Sequence, residues 1–227
     1  MKRKKYNEKY FEQIDSEDKA YFLGLICADG NVVNDPKTYR YQVSLKLHTK
    51  DLHILNDFVK YVNGEMCVWH HNQREIGEVK LSGKKIVNDL MMLGITPNKS
   101  LVLKYPDIEE KFERDFLRGY FDGDGCIRIS LDKRDNSRRG DLRIVSGSIE
   151  MLNSINKRFK VLFGTNVNKI YGNEIKNYGF IGWAGMSDIE KIYHGLYDDS
   201  NLFLTRKKVI FDEVIEIIKD KQKYRKK

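Results

Sequence analysis

Phe22-Leu23-Gly24-Leu25-Ile26-Cys27-Ala28-Asp29-Gly30 and Leu117-Arg118-Gly119-Tyr120-Phe121-Asp122-Gly123-Asp124-Gly125 are two versions of one segment. Each is an apolar helical stretch with small residues four apart, and each closes on Asp-Gly. Gly24 corresponds to Gly119 and Asp29 to Asp124, both 95 positions on. A duplicated helix ending in a carboxylate predicts a two-fold-like site with one acid from each repeat.

The small residues say how the acids meet. Gly24 and Ala28 are four apart, as are Gly119 and Gly123. Positions i and i+4 share a helix face, so these faces allow two helices to pack closely and bring Asp29 and Asp124 to one axis. Asp15-Ser16-Glu17-Asp18 offers an N-cap and first-turn acids for the first helix. The second starts after Pro106-Asp107. Gly30 and Gly125 read as C′ stops. Both acids then sit at helix C-termini, where the macrodipole is already negative. A shared divalent cation resolves that conflict, and hard oxygen donors favour Mg²⁺, with Mn²⁺ or Ca²⁺ as substitutes for binding.

The rest of each repeat follows the same order. After Asp29, strand-like segments run to Lys46, and a helix follows from Asp51 to Val62 with Leu52, Leu55, Val59 and Val62 on one face. After Asp124, strands lead to a helix with Leu152, Ile155, Phe159 and Leu162 aligned. Strand candidates 66–71 and 76–82 are matched by 166–171 and 179–184, and helices 83–93 and 187–196 close the repeats. Each half reads α-β-β-α-β-β-α, an α+β architecture, with halves 1–105 and 106–227.

Within 40–48, Arg40, Gln42, Ser44, Lys46 and His48 alternate with Tyr41, Val43, Leu45 and Leu47. Arg128 and Ser130 alternate with Ile127, Ile129 and Leu131, and Arg143 lies between Leu142 and Ile144. Period two puts an apolar face on the core and a polar face outward. Arg, Gln, Lys, Ser and His are donors able to read base edges in a major groove. A solvated sheet face has the same alternation. Glu78, Lys80, Asn168 and Lys169 join the candidate contacts from the later strands. The polar faces differ between the halves, so a target read by both would be asymmetric.

Composition agrees with a polyanionic partner. There are 41 Lys and Arg against 33 Asp and Glu, a formal net charge of +8. At 227 residues a chain buries about 70% of its unfolded surface without staples. Cys27, Cys67 and Cys126 show no CxxC pairing and read as buried thiols of a reducing compartment. No stretch approaches 18 apolar residues, and the basic start Lys2-Arg3-Lys4-Lys5 is not followed by an apolar run, so a soluble intracellular protein is expected.

The two quoted segments resemble the LAGLIDADG motif of homing endonucleases, with Cys27 standing where the motif's name has its first Asp. The resemblance extends through the repeat over the whole chain and is to the monomeric, two-motif class. It implies motif helices packed at a central pseudo-two-fold axis, curved antiparallel sheets forming a saddle on double-stranded DNA, and metal-dependent cleavage of both strands. The last Asp of each motif, Asp29 and Asp124, would hold the metal, assisted by the carbonyls of Ala28 and Gly123. Family members often carry a Lys near the site after the later helix of each half. Lys99 fits that place, and Lys207 is its counterpart, with Arg206 and Lys208 as rivals. A non-cleaving binder on the same fold, an RNA maturase or a transcription regulator, is the competing function.

Weaker signals remain. Trp69-His70-His71-Asn72 suggests an HNH nuclease, but no other His is suitably spaced. His70, Gln73 and Arg74 read instead as DNA contacts. Arg134, Arg138, Arg139 and Arg143 fall within ten residues and suit a backbone clamp, or else a disordered insert. Lys219 to Lys227 reads as a frayed, solvated tail.

Overall fold

The computed structural model describes residues 6–71, 74–132, 136–173 and 178–225. The first repeat contains α1 (Glu17–Asp29), β1 (Gly30–Asp35), β2 (Arg40–His48), α2 (Leu52–Val62), β3 (Met66–His71), β4 (Arg74–Leu81) and α3 (Lys84–Met92). The second contains α4 (Glu110–Asp124), β5 (Gly125–Leu131), β6 (Arg138–Ser146), α5 (Ile149–Phe163), β7 (Tyr171–Asn173), β8 (Tyr178–Trp183) and α6 (Met186–Tyr197), followed by α7 (Thr205–Arg225). The strands form two antiparallel sheets, ordered β1-β2-β4-β3 and β5-β6-β8-β7.

α1 is buried on every side from Ala20 to Cys27, and α4 from Phe112 to Asp122 apart from Arg114. α1, apolar or small all round, belongs in the middle of a fold; α4 joins it there with Glu113, Asp115, Arg118 and Asp122 buried as well, and the two pack on each other at the centre of one continuous core. Their crossing is a backbone contact. A Cβ on Gly24 would lie 2.0 Å from the Phe116 carbonyl oxygen and 2.7 Å from the Tyr120 nitrogen. On Gly119 it would lie 2.0 Å from the Tyr21 carbonyl oxygen and 3.0 Å from the Leu25 nitrogen. Phe116 and Tyr120 are the images of Tyr21 and Leu25 under the 95-residue offset, so the crossing carries the symmetry of the repeat.

Each sheet turns one face to helices. Val43, Leu45, Val79 and Leu81 are buried on the first, and Leu142, Ile144, Ile181 and Trp183 on the second. α2 covers the first with Ile54, Leu55, Phe58 and Val62, while Leu52 and Val59 are only half-buried, so its apolar stripe is rotated slightly from the expected one. α2 and α5 end alike, on left-handed Asn63 (φ 51°) and Gly164 (φ 70°). α5 is capped by the Ser148 hydroxyl, which accepts from the Met151 N–H at 3.2 Å.

Four expectations change. Gly30 and Gly125 are not left-handed stops: at φ −75° and −80° they are extended, and each motif helix runs straight into a strand. The strand expected at 166–171 begins only at Tyr171. Asn168 gives its N–H to Asn156 Oδ1 at 3.1 Å and its carbonyl accepts from Asn156 Nδ2 at 2.7 Å, so a side chain of α5 occupies the groups a ladder would use. The tail expected to fray from Lys219 is instead helical through Arg225, the end of a helix over Thr205–Arg225 that is held because Phe211, Val214, Ile215 and Ile218 share a face that is buried. Finally, only Cys27 is buried. Cys67 and Cys126 are exposed because sheet register sets them on the polar faces, opposite Glu78 and Arg143.

Candidate active site

α1 and α4 end side by side, so Asp29 and Asp124 face a common space. A Cβ on Gly123 would touch the Ala28 Cβ at 2.2 Å and lie 3.3 Å from Asp29 Oδ2. Asp124 is half-buried. Its carboxyl is pushed up to about 6, first by burial and then by the negative charge of Asp29, against the pull of Lys207 and Lys99. Asp29 reaches solvent, yet protein crowds it enough for burial to raise its carboxyl too, against Lys207, Lys99 and Arg206. A cavity of about 180 Å³ opens beside Asp124, lined in part by Cys27, Ser100, Tyr120 and Ser146.

Both site lysines are buried and turned onto the ends of the motif helices. Lys99 Nζ donates to the Gly30 carbonyl at 2.5 Å. Lys207 Nζ donates to the carbonyls of Phe121 (2.9 Å), Gly123 (3.0 Å) and Gly125 (2.5 Å). Gly125 is the image of Gly30, so these two lysines are structural counterparts. The rivals go elsewhere: Arg206 pairs with Asp51 at 2.9 Å, and Lys208 with Asp212 at 2.9 Å and Tyr193. Burial pulls the Lys207 ammonium down to about 8, although Asp122, Asp29 and Asp124 oppose the fall. The helix-dipole conflict read from sequence therefore has a protein answer already, since two cations sit on the helix C-terminal carbonyls. They do not suffice: the carboxyls remain raised.

Among the described residues, no group of three His, Cys, Asp or Glu side chains converges as a metal cage. The donors at the motif ends are two carboxylates and two carbonyls, those of Ala28 and Gly123, the latter sharing its oxygen with Lys207. All are hard oxygens, and two raised carboxylates beside each other are under-neutralised. That set fits Mg²⁺, which uses few protein ligands and keeps several waters.

The sheet faces carry the other candidates. Register places Arg40, Gln42, Ser44, Lys46 and His48 with Glu78 and Lys80 on the helix-free face of the first sheet. Gln42, Ser44 and Glu78 are nonetheless buried there. Arg40 donates to Gln42 Oε1 at 3.3 Å, and Lys46 and Lys80 flank Glu78 at 3.6 and 3.4 Å. Longer neighbours lie over the shorter side chains, so these must swing aside before Gln42 or Ser44 reaches a partner. His48 Nδ1 accepts from the Lys50 N–H at 3.1 Å. On the second sheet Asp141 holds both Arg128 and Arg143 (3.0 Å to the latter), Asp132 pairs with Arg139, and Ser130 is exposed.

Arg138 leaves the clamp: it lies opposite Leu131, on the other face, and pairs with Glu213 of α7. Asn168 is spent on backbone, its Nδ2 donating to the Gly182 carbonyl at 2.8 Å. Lys169 lies over the Tyr171 ring. Gln73 and Arg134 fall outside the described residues, and His70 and Arg74 are described through their backbone alone. An aromatic group not anticipated joins this face: Tyr171 stacks on Phe180 at 5.3 Å, with the Arg143 guanidinium over Phe180. The alternation Tyr178-x-Phe180 was its signal.

Two duplicated helices crossing through glycine backbones, each delivering a carboxylate and each followed by an antiparallel sheet, define the LAGLIDADG type of architecture. Residues 111–178 match the model of the LAGLIDADG-like domain. The chain is 26% identical over 221 residues to an uncharacterized protein of Methanocaldococcus jannaschii, covering 92% of this chain and 69% of that protein. Among solved structures, meganuclease I-SmaMI bound to uncleavable DNA superposes with a TM-score of 0.63 at 10% identity, over 87% of this chain and 89% of that one. I-LtrWI, a LAGLIDADG homing endonuclease bound to target DNA, gives 0.60 at 15%, over 95% and 92%. I-GzeII, of the same description and in complex with its DNA target, gives 0.61 at 14%, over 89% and 91%. The chain thus has the whole fold of the two-motif LAGLIDADG endonucleases. No described helix is long and apolar enough to cross a membrane.

Proposed function

We propose that this protein is a site-specific DNA endonuclease that makes a metal-dependent double-strand break at a long, asymmetric target. The observation that carries this reading is the pair Asp29 and Asp124, held together at the pseudo-two-fold axis with their carboxyls raised above the ordinary range. A pure binder gains nothing from two crowded carboxylates facing phosphates, which weighs against a maturase or regulator. The solved neighbours of the same fold are described with DNA, one of them with calcium ions.

In this reading Asp29 and Asp124 hold the divalent cation, Mg²⁺ in the cell, with the carbonyls of Ala28 and Gly123. When bound, such an ion lowers the pKa of its water, neutralises charge on the phosphoryl oxygens and templates in-line attack. The chain's own residues prepare the place. Lys99 and Lys207 pull both carboxyls toward ionisation and add positive field where the phosphate's charge grows. Buried on backbone carbonyls, they act through the field rather than by touching the phosphate. The halves, 1–105 and 106–227, each take one half-site, with Arg40, Lys46 and Lys80 on one sheet and Arg128, Arg139 and Arg143 on the other. Each of these cations is prepaired with a carboxylate or amide of its own face, which holds its orientation before DNA arrives.

Cleavage of a randomised duplex library with Mg²⁺, followed by sequencing of the ends, tests the reading. A single asymmetric consensus is expected, and a perfect palindrome or no cleavage would contradict it.

The metal leaves a signature in stability. The Asp124 carboxyl titrates near 6 in the folded chain, above about 3.9 when unfolded. The fold therefore disfavours its ionised form: the neutral group costs nothing below pH ~4, and stability is lost as pH rises through 6. Without metal, Asp124→Asn should be more stable than wild type at pH 7 by on the order of 2 kcal/mol. The gap should close by pH 4, and Mg²⁺ should narrow it at pH 7 by stabilising wild type alone. Urea unfolding at the two pH values measures it, and a gap independent of pH would exclude this placement of the charge.

A further inference from the structure

One buried acid of the second motif is not used by this chemistry. Asp122 is fully buried, two residues before Asp124. Its Oδ2 accepts from the Tyr21 hydroxyl of α1 and from the Leu204 N–H, both at 2.8 Å, and its Oδ1 accepts from the Tyr197 hydroxyl of α6 at 2.9 Å. One turn earlier on α4, Arg118 gives Nε to the Leu202 carbonyl at 2.8 Å and Nη1 to the Leu196 carbonyl at 3.1 Å, while Asp115 balances its charge. An i, i+4 pair on one face of α4 thus grips the link between α6 and α7 by a carbonyl and by an N–H.

That link sets the register of α7. The Leu204 carbonyl accepts from the N–H of Lys207 at 2.9 Å and of Lys208 at 3.1 Å, which opens the helix. Lys207 leaves this first turn to reach the three carbonyls around Asp124. Among the described residues nothing equivalent serves the first half. The images of Arg118 and Asp122 there are Leu23 and Cys27, which have no such groups, and Lys99 reaches one carbonyl where Lys207 reaches three.

Resting on the endonuclease reading above, we propose that Asp122 is a positioning residue which, through the Leu204 N–H, seats Lys207 at one half-site only. The two DNA strands are then cut by differently supported machinery, and Asp122 governs one of them.

The test follows each strand separately on a duplex target labelled at both 5′ ends, with the full chain and Mg²⁺. Asparagine in place of Asp122 keeps the shape but cannot accept from all three donors. Asp122→Asn should slow one strand by about ten- to a hundredfold, the range for an outer partner of a site group, and slow the other several-fold less, because the Lys207 charge reaches Asp29 as well. Lys207→Met should slow the same strand, and the double variant should be no slower than Lys207→Met alone, because both changes remove one function. Arg118→Lys, which cannot span the Leu202 and Leu196 carbonyls, should show the same strand preference if Asp122→Asn fails to fold. Equal slowing of both strands, or effects that multiply, would overturn the positioning role while leaving the endonuclease intact. A wild-type chain that cuts neither strand of any duplex would overturn both.

Discussion

Asp124→Asn is expected to abolish double-strand cleavage while DNA binding largely survives, and Asp29→Asn to do the same. The substitution is nearly isosteric and keeps an oxygen donor but removes one of the two negative charges at the motif ends, so a divalent cation is held more weakly and its charge is less balanced. Neither acid belongs to the sheet faces, whose cations Arg128, Arg143, Lys46 and Lys80 would supply affinity on the proposed reading. The expected result is a gel shift within a few-fold of wild type, with no linear product from a plasmid carrying the target. Full cleavage by either variant would remove the metal site from these residues. The same variants should be at least as stable as wild type in the absence of metal, because burial raises both carboxyls and an amide carries no charge to desolvate, and Asp29→Asn also removes the repulsion that raises Asp124. Loss of activity with a gain in stability separates a site residue from a structural one.

Gly119→Ala, together with Gly24→Ala, should produce the largest loss of stability of any alanine placed at a described glycine. Its Cβ would enter within 2.0 Å of the Tyr21 carbonyl oxygen, which belongs to α1 backbone and cannot rotate away. Overpacking a core against movable side chains costs ~1–3 kcal/mol. Here two helices must separate, which carries the cost to about 4 kcal/mol, the range of exceptional substitutions. For a chain of this length that is a fall in Tm of about 10 °C or more. Gly24→Ala, meeting the Phe116 carbonyl oxygen at the same distance, should match it. A loss under 1 kcal/mol for either would mean that the helices are not held backbone to backbone.

Much of this was legible because it rests on repeated local chemistry. The paired glycines announce the helix crossing, and the period-two runs of β2 and β5 announce which faces meet helices. What stayed hidden depends on contacts between distant segments. Nothing near Asn168 shows that Asn156 takes its backbone groups, so a strand was expected where a side chain had replaced the ladder. α7 did leave a trace in Phe211, Val214, Ile215 and Ile218, obscured by the Lys and Glu around them. At the site, the sequence offered three basic residues from 206 to 208. Only tertiary packing separates them, sending Arg206 to Asp51 and Lys208 to Asp212 while Lys207 turns inward. The dipole argument pointed to a missing positive charge but had no way to see that Lys99 and Lys207 supply part of it.

The crossing of α1 and α4 has one more consequence. Gly24 touches the images of the residues that Gly119 touches, so the contact is of the isologous kind found between identical subunits. A single repeat cut from this chain would expose a surface complementary to itself. Two copies of the first repeat, with Leu23 and Cys27 in the motif helix, would bring no charge to that crossing, but the buried Asp51 would lose Arg206, its partner in the second repeat. Two copies of the second would each bring Asp122, which would keep the Tyr197 hydroxyl and the Leu204 N–H of its own repeat but lose the Tyr21 hydroxyl of the first, whose image is Phe116. Each repeat thus holds a buried acid, Asp51 in the first and Asp122 in the second, that takes a hydrogen bond from the other, so the two halves complement each other more fully than either complements itself.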